Sequence, residues 1–391
     1  MKIAIVIEKA DLRGGQNRVA TELGRRLGWR HEVHIFCFEA ADRVEGVTYH
    51  IMPCPLKRRP IIQEMMIPLV SRLVIKPRNF DVILAQGGNC TIANATLVHT
   101  SQVQYAAVKE DVLLSEPTMP RWEKAIRRWW QKRAIAYEGR VVRQCRGAVM
   151  TVSEEVRQAM MQYWGLQEDE IFTTPNGVDH ERFHLGLRNG YRQRIREQHG
   201  IPEQAFAALF IGYVWKAKGV DRLLRAFGMI NDTEMHLLVV GDGDPEQLAE
   251  YMPRELAGNI HFTGHQPPEG YYGAADCLVL PSRHEGLALV LVEAAACGLP
   301  IICTPMGGAG AIVEQGVSGY VIPQARTQNE ETQTAQQIAE HIMQLAADRP
   351  RARQMGLAAR ERSLEFTWER QAQLVEDVLA GLSKQTPSLG P

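Results

Sequence analysis

No stretch of this 391-residue chain is long and apolar enough to span a bilayer, which argues against an integral membrane protein. Its seven cysteines, Cys37, Cys54, Cys90, Cys145, Cys277, Cys297 and Cys303, form no C-x-x-C pair. Their spacing argues against a disulfide framework and against a structural metal, and it fits a reducing cytoplasm. No secretory leader is expected either. Met1-Lys2 runs directly into the strand-like residues 3–7, too short for a signal core followed by a cleavage site. No G-x-G-x-x-G follows that first apolar run, which argues against a dinucleotide cofactor. No internal repeat stands out, and net charge is close to nil, 44 Lys+Arg against 45 Asp+Glu.

What is present is a βα alternation. Apolar runs at residues 3–7, 33–38, 82–85, 96–100 and 148–152 are spaced by helical patterns, the first at 16–27. After a polar stretch at 184–204 the pattern restarts, with strands expected at 206–211, 236–240, 260–262, 277–280 and 301–304. The length suits two domains. Each is expected to be α/β, a Rossmann-like doubly wound parallel sheet. The expected boundary lies near 176–183, with domains at 1–178 and 179–367. A last helix starts at Trp368, and residues 384–391 read as a loose tail. Charge is uneven. Through Val178 there are 25 Lys+Arg and 19 Asp+Glu, and beyond it 19 and 26, so the first part is the one suited to an anionic partner.

Chemistry concentrates in the second part. Pro281 and Gly286 break the apolar strand 277–280, and an apolar helix then runs to Gly298. Glu285 and Glu293 flank its start. The amides of Gly286, Leu287, Ala288, Leu289 and Val290 would present free N–H groups and a helix dipole, which is an anion site. Eight helical residues rise about 12 Å, close to the span from sugar to ribose in a nucleotide diphosphate sugar. Glu285 alone is also a plausible cap. Glu293, among Leu289 to Ala296, is harder to explain without a ligand or partner.

These residues resemble the Glu-x7-Glu motif of the retaining glycosyltransferases of family 4, which have the GT-B fold of two facing Rossmann-like domains. The likeness extends through the chain in the family's order. Gly14-Gly15 resembles its N-terminal glycine loop, and Pro175-Asn176-Gly177-Val178-Asp179 with Phe183 its interdomain signature. Gly212 through Lys218-Gly219 resembles its diphosphate loop, and Gly241-Asp242-Gly243 and Phe262-Thr263-Gly264-His265 also fit. The resemblance implies an N-terminal acceptor domain, joined by the helix 368–391, and a C-terminal nucleotide-sugar domain. It implies sugar transfer with retention by front-face attack, without cofactor or metal. Glu285, Lys218 and His99 would be catalytic. Gly14, Gly15, Lys216, His265, residues 286–290 and Glu293 would hold the donor, expected to be a UDP-sugar. Two positions depart from the family: Tyr213 where an Arg is usual, and Ala288 where a glycine is common.

Within the family the chain resembles the lipopolysaccharide core glucosyltransferases, through Gly219-Val220-Asp221-Arg222 and a basic aromatic stretch from Arg121. Between Arg121 and Arg146 lie nine Lys+Arg and two Asp+Glu, with Trp122, Trp129 and Trp130 among them. Cationic side chains beside tryptophan suit an anionic membrane surface. Lys57-Arg58-Arg59 to Arg78 is a second candidate. No nucleic-acid motif accompanies either patch. Three readings stay open: a transferase acting on a lipid-linked saccharide at the inner membrane face, a soluble transferase with a small acceptor, and a non-catalytic nucleotide-sugar-binding protein.

Overall fold

The computed structural model describes residues 1–54, 60–113, 119–230, 232–325 and 327–385. The basic triplet Lys57-Arg58-Arg59 and most of the 384–391 tail lie outside the described residues. The chain divides into two compact units. An N-terminal unit comprises Met1–Glu110, Leu114–Gly177 and Trp368–Pro391, and a C-terminal unit comprises Val178–Thr367 with Asp111–Leu113.

In the N-terminal unit the strands are β1 (Lys2–Val6), β2 (Lys9–Ala10), β3 (Glu32–Cys37), β4 (Glu39–Ala40), β5 (Val47–Ile51), β6 (Val82–Gln86), β7 (Ala95–Val98), β8 (Val149–Thr151) and β9 (Ile171–Thr173). The helices are α1 (Gly15–Leu27), α2 (Pro60–Val74), α3 (Gln102–Val108), α4 (Arg121–Gln144) and α5 (Glu154–Trp164). Seven strands form one sheet in the order β5-β3-β1-β6-β7-β8-β9, every pairing parallel. The central β1 sets Ile3 opposite both Val33 and Val82. All five residues of β6 are buried, because helices cover both faces of such a sheet.

The C-terminal unit carries β10 (Phe206–Ile211), β11 (Met235–Val240), β12 (Ile260–Gly264), β13 (Cys277–Leu280), β14 (Ile301–Cys303) and β15 (Gly319–Val321). Its helices are α6 (Leu187–Gln198), α7 (Trp215–Lys218), α8 (Val220–Met229), α9 (Glu269–Ala274), α10 (Leu289–Ala296), α11 (Ala309–Ile312), α12 (Gln328–Ala347) and α13 (Arg349–Ser363). The six strands form a parallel sheet in the order β12-β11-β10-β13-β14-β15. The last helix, α14 (Trp368–Gln385), packs on α1 in the N-terminal unit. There Trp368 is buried and Arg26 bonds Glu369 across 2.8 Å.

Strand order reverses once in each sheet, between β1 and β6 and between β10 and β13. Crevices at such switch points, at the carboxyl ends of the strands, are where doubly wound sheets bind ligands. Among the described residues no helix is long and apolar enough to cross a membrane.

The polar stretch 184–204 is not a connector. It contains α6, which packs on α9 and buries Leu187, Ile195 and Arg196. Its polarity is misleading because its inward face is partly arginine. Arg196 bonds Asp276 at 2.6 Å and the carbonyls of Pro202 and Ala205. All seven cysteines are free and buried. Burial pushes the Cys37 thiol up to about 11 and that of Cys145 to about 12, which suits core packing and not nucleophilic or metal chemistry.

Candidate functional site

Two loops meet at the switch point of the C-terminal unit. One follows β10: Gly212, Tyr213 and Val214 lead into α7, which ends at Lys218 and Gly219. Val214 holds φ at +55°, a left-handed backbone costly for a β-branched residue. Gly219, at φ +79°, lies so close to the second loop that a Cβ there would come within 2.2 Å of the Pro281 carbonyl oxygen. That second loop follows β13 and carries Ser282, Arg283, His284 and Glu285. The close approach brings Lys218 Nζ onto Glu285 Oε1 as an ion pair. Ser282 Oγ donates to the same carboxylate oxygen at 2.8 Å. Behind Glu285 stands Gly307 at φ +65°, where a Cβ would clash with the Glu285 side chain.

Glu285 is therefore not part of the helix. α10 begins at Leu289, with Ala288 as an extended N-cap residue and no side-chain cap bond. The 12 Å helical rise between the two glutamates is corrected accordingly: four of the eight intervening steps are loop. Pro281 and the tertiary pull of Lys218 and Ser282 hold that segment out of the helix. Gly286, Leu287 and Ala288 are buried in the loop, and Leu289 and Val290 form the half-buried first turn. Glu293, 4% exposed, accepts at Oε2 from the Tyr272 hydroxyl at 2.7 Å.

The loops are braced from below. Arg283 grips Asp221 with two 2.8 Å bonds and reaches Glu331 at 3.2 Å. Arg222, fully buried, bonds Glu331, Gln324 and the Pro281 carbonyl. Burial works against the Arg283 guanidinium, but its bonds to Asp221 and Glu331 outweigh it and hold its pKa above the usual value. Removing one member of such a buried set costs about 3–5 kcal/mol. Arg283 also donates to the Lys216 carbonyl, fixing α7. Tyr213, which stands where the resemblance expects Arg, bonds His265 Nδ1 at 2.8 Å and stacks on its ring.

The remaining sequence-predicted residues belong to the N-terminal unit. Gly14 precedes α1 and Gly15 opens it, and Asp11 Oδ1 accepts from the Arg13 and Gly14 amides. His99 follows β7, its Nε2 2.6 Å from Gln86 Oε1. Burial lowers the His99 pKa to about 3, so the ring is neutral and Nε2–H is the donor. Both line a cavity of about 230 Å³ at the carboxyl ends of β1, β6 and β7. Three carboxyls enter it from distant elements: Glu8, Glu64 and Glu138. Glu138 accepts from the Gln102 amide and Trp164 Nε1, and Glu64 from Trp130 Nε1. Burial, then repulsion from Glu64, raises the Glu8 pKa to about 8, and burial raises that of Glu138 to about 7.

On the surface of α4, Trp122 (66% exposed), Ile126 and Trp129 (54% exposed) share one helical face, while Trp130 points into the core. Arg127 pairs with Glu123, and Arg128 with Glu110. Leu69 and Leu73 of α2 are exposed as well.

The sequence pattern did not reveal Tyr272, the Arg222–Arg283–Glu331 brace or the carboxyl-lined cavity. A legible signal existed only for Glu8, a carboxylate directly after the buried run of β1.

Comparison with known proteins adds three findings. Residues 13–182 match the family model "Glycosyltransferase Family 4", and residues 191–362 match "Glycosyl transferases group 1". The chain is 31% identical over 384 residues to D-inositol 3-phosphate glycosyltransferase 1 of Catenulispora acidiphila, covering 91% of this chain and 88% of that protein. It is 29% identical to the D-inositol 3-phosphate glycosyltransferase of Corynebacterium aurimucosum over 59% of this chain, but spans only 56% of that relative's length. In fold it is similar to WaaG, a glycosyltransferase involved in lipopolysaccharide biosynthesis, with TM-score 0.77, 18% identity, and coverage of 97% of this chain and 100% of the other. It is similar in the same way to Anabaena HepE in complex with UDP-glucose, with TM-score 0.72, 18% identity, and coverage of 97% and 100%.

Proposed function

This chain belongs to the glycosyltransferases of family 4, and from that premise we propose that it transfers a hexose, glucose from UDP-glucose, to a saccharide acceptor carried on lipid at the cytoplasmic membrane face. The observation that carries the reading is the Lys218–Glu285 pair at the switch point, beside the uncapped start of α10. The donor diphosphate bears two negative charges, and one more develops on the leaving oxygen. Lys218 supplies a cation with three donors, Lys216 a second positive charge, and the first turn of α10 its N–H dipoles. With charge handled in this way the reaction uses no metal.

Glu285 takes hydroxyls of the transferred sugar and stabilises positive charge at its anomeric carbon. Glu293, oriented by Tyr272, takes the ribose hydroxyls. His99, whose Nε2–H is given to Gln86, accepts at Nδ1 from a sugar hydroxyl. Transfer proceeds with retention. The bond from the anomeric carbon to the phosphate oxygen breaks, and the acceptor oxygen attacks from the same face. The acceptor proton passes to the leaving phosphate, which departs as UDP.

The lipid-linked acceptor is supported by the exposed Trp122, Ile126 and Trp129 face amid basic residues. A small soluble acceptor is the second reading, supported by the relatives that are D-inositol 3-phosphate glycosyltransferases. The test is a calorimetric screen of nucleotide sugars, followed by turnover of the tightest binder with lipid-linked and free saccharides. Binding without any turnover would indicate a non-catalytic binding protein. Preference for another nucleotide sugar would overturn the UDP-glucose assignment.

A further inference from the structure

Arginines from two helices of the C-terminal unit meet at an open pocket of about 500 Å³, which the loops of Lys218 and Glu285 do not line. Arg188, Arg192 and Arg196 follow one another at i, i+4 and i+8 along one face of α6, and Arg349 and Arg353 stand at i, i+4 in the first turns of α13. Like charges at this spacing repel, so both helices hold the arrangement at a cost. Part of it has an internal purpose. Asp276, directly before β13, takes Arg196 at 2.6 Å and Arg188 and Arg192 at 3.1 Å each, with Arg349 4.0 Å away. Arg196 is buried and also donates to the carbonyls of Ala274 and Ala205.

One buried carboxylate does not balance these cations. Arg188, Arg192, Arg349 and Arg353 line the pocket against a single carboxylate, Glu203, while Arg196 and Asp276 beneath them offset each other. Glu203 is 76% exposed and comes only within 4.0 Å of Arg192, and Asp348 caps the Arg351 amide of its own helix. Arg353 has neither an ion-pair nor a hydrogen-bond partner among the described residues. Burial, opposed by Asp276 and reinforced by Arg196 and Arg188, lowers the Arg192 pKa to about 10, so that guanidinium still carries its charge at neutral pH. A surplus of guanidinium forks suits phosphate oxygens, which they grip two at a time. The lining holds no aromatic or aliphatic side chain, and the nearby Phe206 ring is already covered by Arg349 at 5.0 Å, so no face is offered to a nucleobase. The volume falls within the roughly 300–1,000 Å³ of ligand sites, room for a chain of phosphates.

We propose that this pocket is a second anion site, which takes a linear polyphosphate gripped by Arg188, Arg192, Arg349 and Arg353. It does not depend on the donor assignment. Phe206 and Asp276 stand at the amino ends of β10 and β13, whereas the Lys218 and Glu285 loops follow the carboxyl ends of the same two strands. A nucleotide sugar and this anion can therefore be bound at once. The chain of phosphates could come free or as part of a nucleoside triphosphate, and the lining favours the free chain.

The test is calorimetric titration of the full-length protein, free of divalent metal and with UDP held just above saturation so that the donor loops are filled. Tripolyphosphate should bind about tenfold or more tightly than sulfate, and ATP no more tightly than tripolyphosphate. Arg353→Glu, at an exposed position, should weaken tripolyphosphate by roughly tenfold or more, the scale of one charge-assisted bond, and Arg188→Gln should weaken it too. Arg351→Glu makes the same change of net charge two residues away, off the shared face of α13, and should cost less than about threefold. UDP affinity, measured separately, should be unchanged in all three variants. No tripolyphosphate binding at millimolar concentration, sulfate binding as tightly, or equal weakening by Arg351→Glu and Arg353→Glu would overturn the proposal. ATP binding clearly more tightly than tripolyphosphate would overturn it as well, in favour of a nucleotide site. The wild-type comparison with sulfate stands even where a variant fails to fold.

Discussion

The Tyr272 hydroxyl reaches across from α9 to donate to Glu293 Oε2 on α10, at 2.7 Å between two side chains that are almost completely buried. A buried carboxylate in an apolar helix needs a partner, and Tyr272 is one. The same bond limits how the carboxylate can turn, so it orients Glu293 as well as solvating it.

Glu293→Ala should therefore weaken UDP binding by about 1.5–3 kcal/mol, the scale for a hydrogen bond to a charged group. Tyr272→Phe should weaken it less, because the carboxylate remains and only its orientation is lost. Calorimetry on folded variants reads both. Unchanged UDP affinity in Glu293→Ala would remove the ribose role and leave Glu293 as Tyr272's structural partner.

Lys218→Ala should lower transfer by about 10²- to 10³-fold at saturating donor, the scale for removing one stabiliser of developing charge. The ion pair adds a second consequence: Glu285 loses its cation, so donor affinity should fall as well. Transfer by the wild type should persist in excess EDTA. A near-wild-type rate in the variant would move the role to another cation, and EDTA loss restored by Mg²⁺ would sink the metal-free mechanism.

The inner strands of both sheets were legible because helices on both faces demand continuous apolar runs, as in β1, β6, β10 and β11. Of the four edge strands only β12 was legible, as the strand expected at 260–262. β9 and β15 have three residues each, and β5 leaves all five of its residues partly or fully exposed, so none offers a period to read. At the site, local pattern located the helix of Glu293. It misplaced Glu285, whose position is set by Lys218, 67 residues earlier. The cavity was invisible for the same reason, since Glu8, Glu64 and Glu138 converge only through topology.

Acid should destabilise the C-terminal unit through stacked histidines. His236 and His261 stack and share a 3.1 Å bond, with His199 tilted against His261. Burial, then the neighbouring His236 and His199, lowers the His261 pKa to about 4 from 6.5. The unfolded chain therefore binds protons that the folded one refuses between those values. Stability is full above about pH 6.5 and is lost as pH falls towards 4. Melting temperatures from pH 7.5 to 4 should fall less steeply for His261→Gln than for wild type. Parallel curves would assign the acid loss to other groups.

The face of α4 makes the membrane reading quantitative. Arg127 and Arg128 already sit against Glu123 and Glu110, so part of the charge counted from sequence is locally neutralised. Arg121 and Lys124 then carry more of the attraction, at about 1 kcal/mol for each basic group near an anionic surface. Salt screens that part within roughly 8–10 Å. Trp122 and Trp129 add an apolar contribution that salt leaves in place. Vesicles with anionic lipid should therefore bind the protein, with partial release at high salt, and neutral vesicles should bind it weakly. Replacing Arg121, Lys124, Arg127 and Arg128 with Gln should abolish the salt-sensitive part, and Trp122→Ser with Trp129→Ser the remainder. Both variants should keep UDP affinity, since the donor loops belong to the other unit. Equal co-sedimentation of wild type and variants would take α4 out of the argument, and no binding by wild type would favour the soluble acceptor.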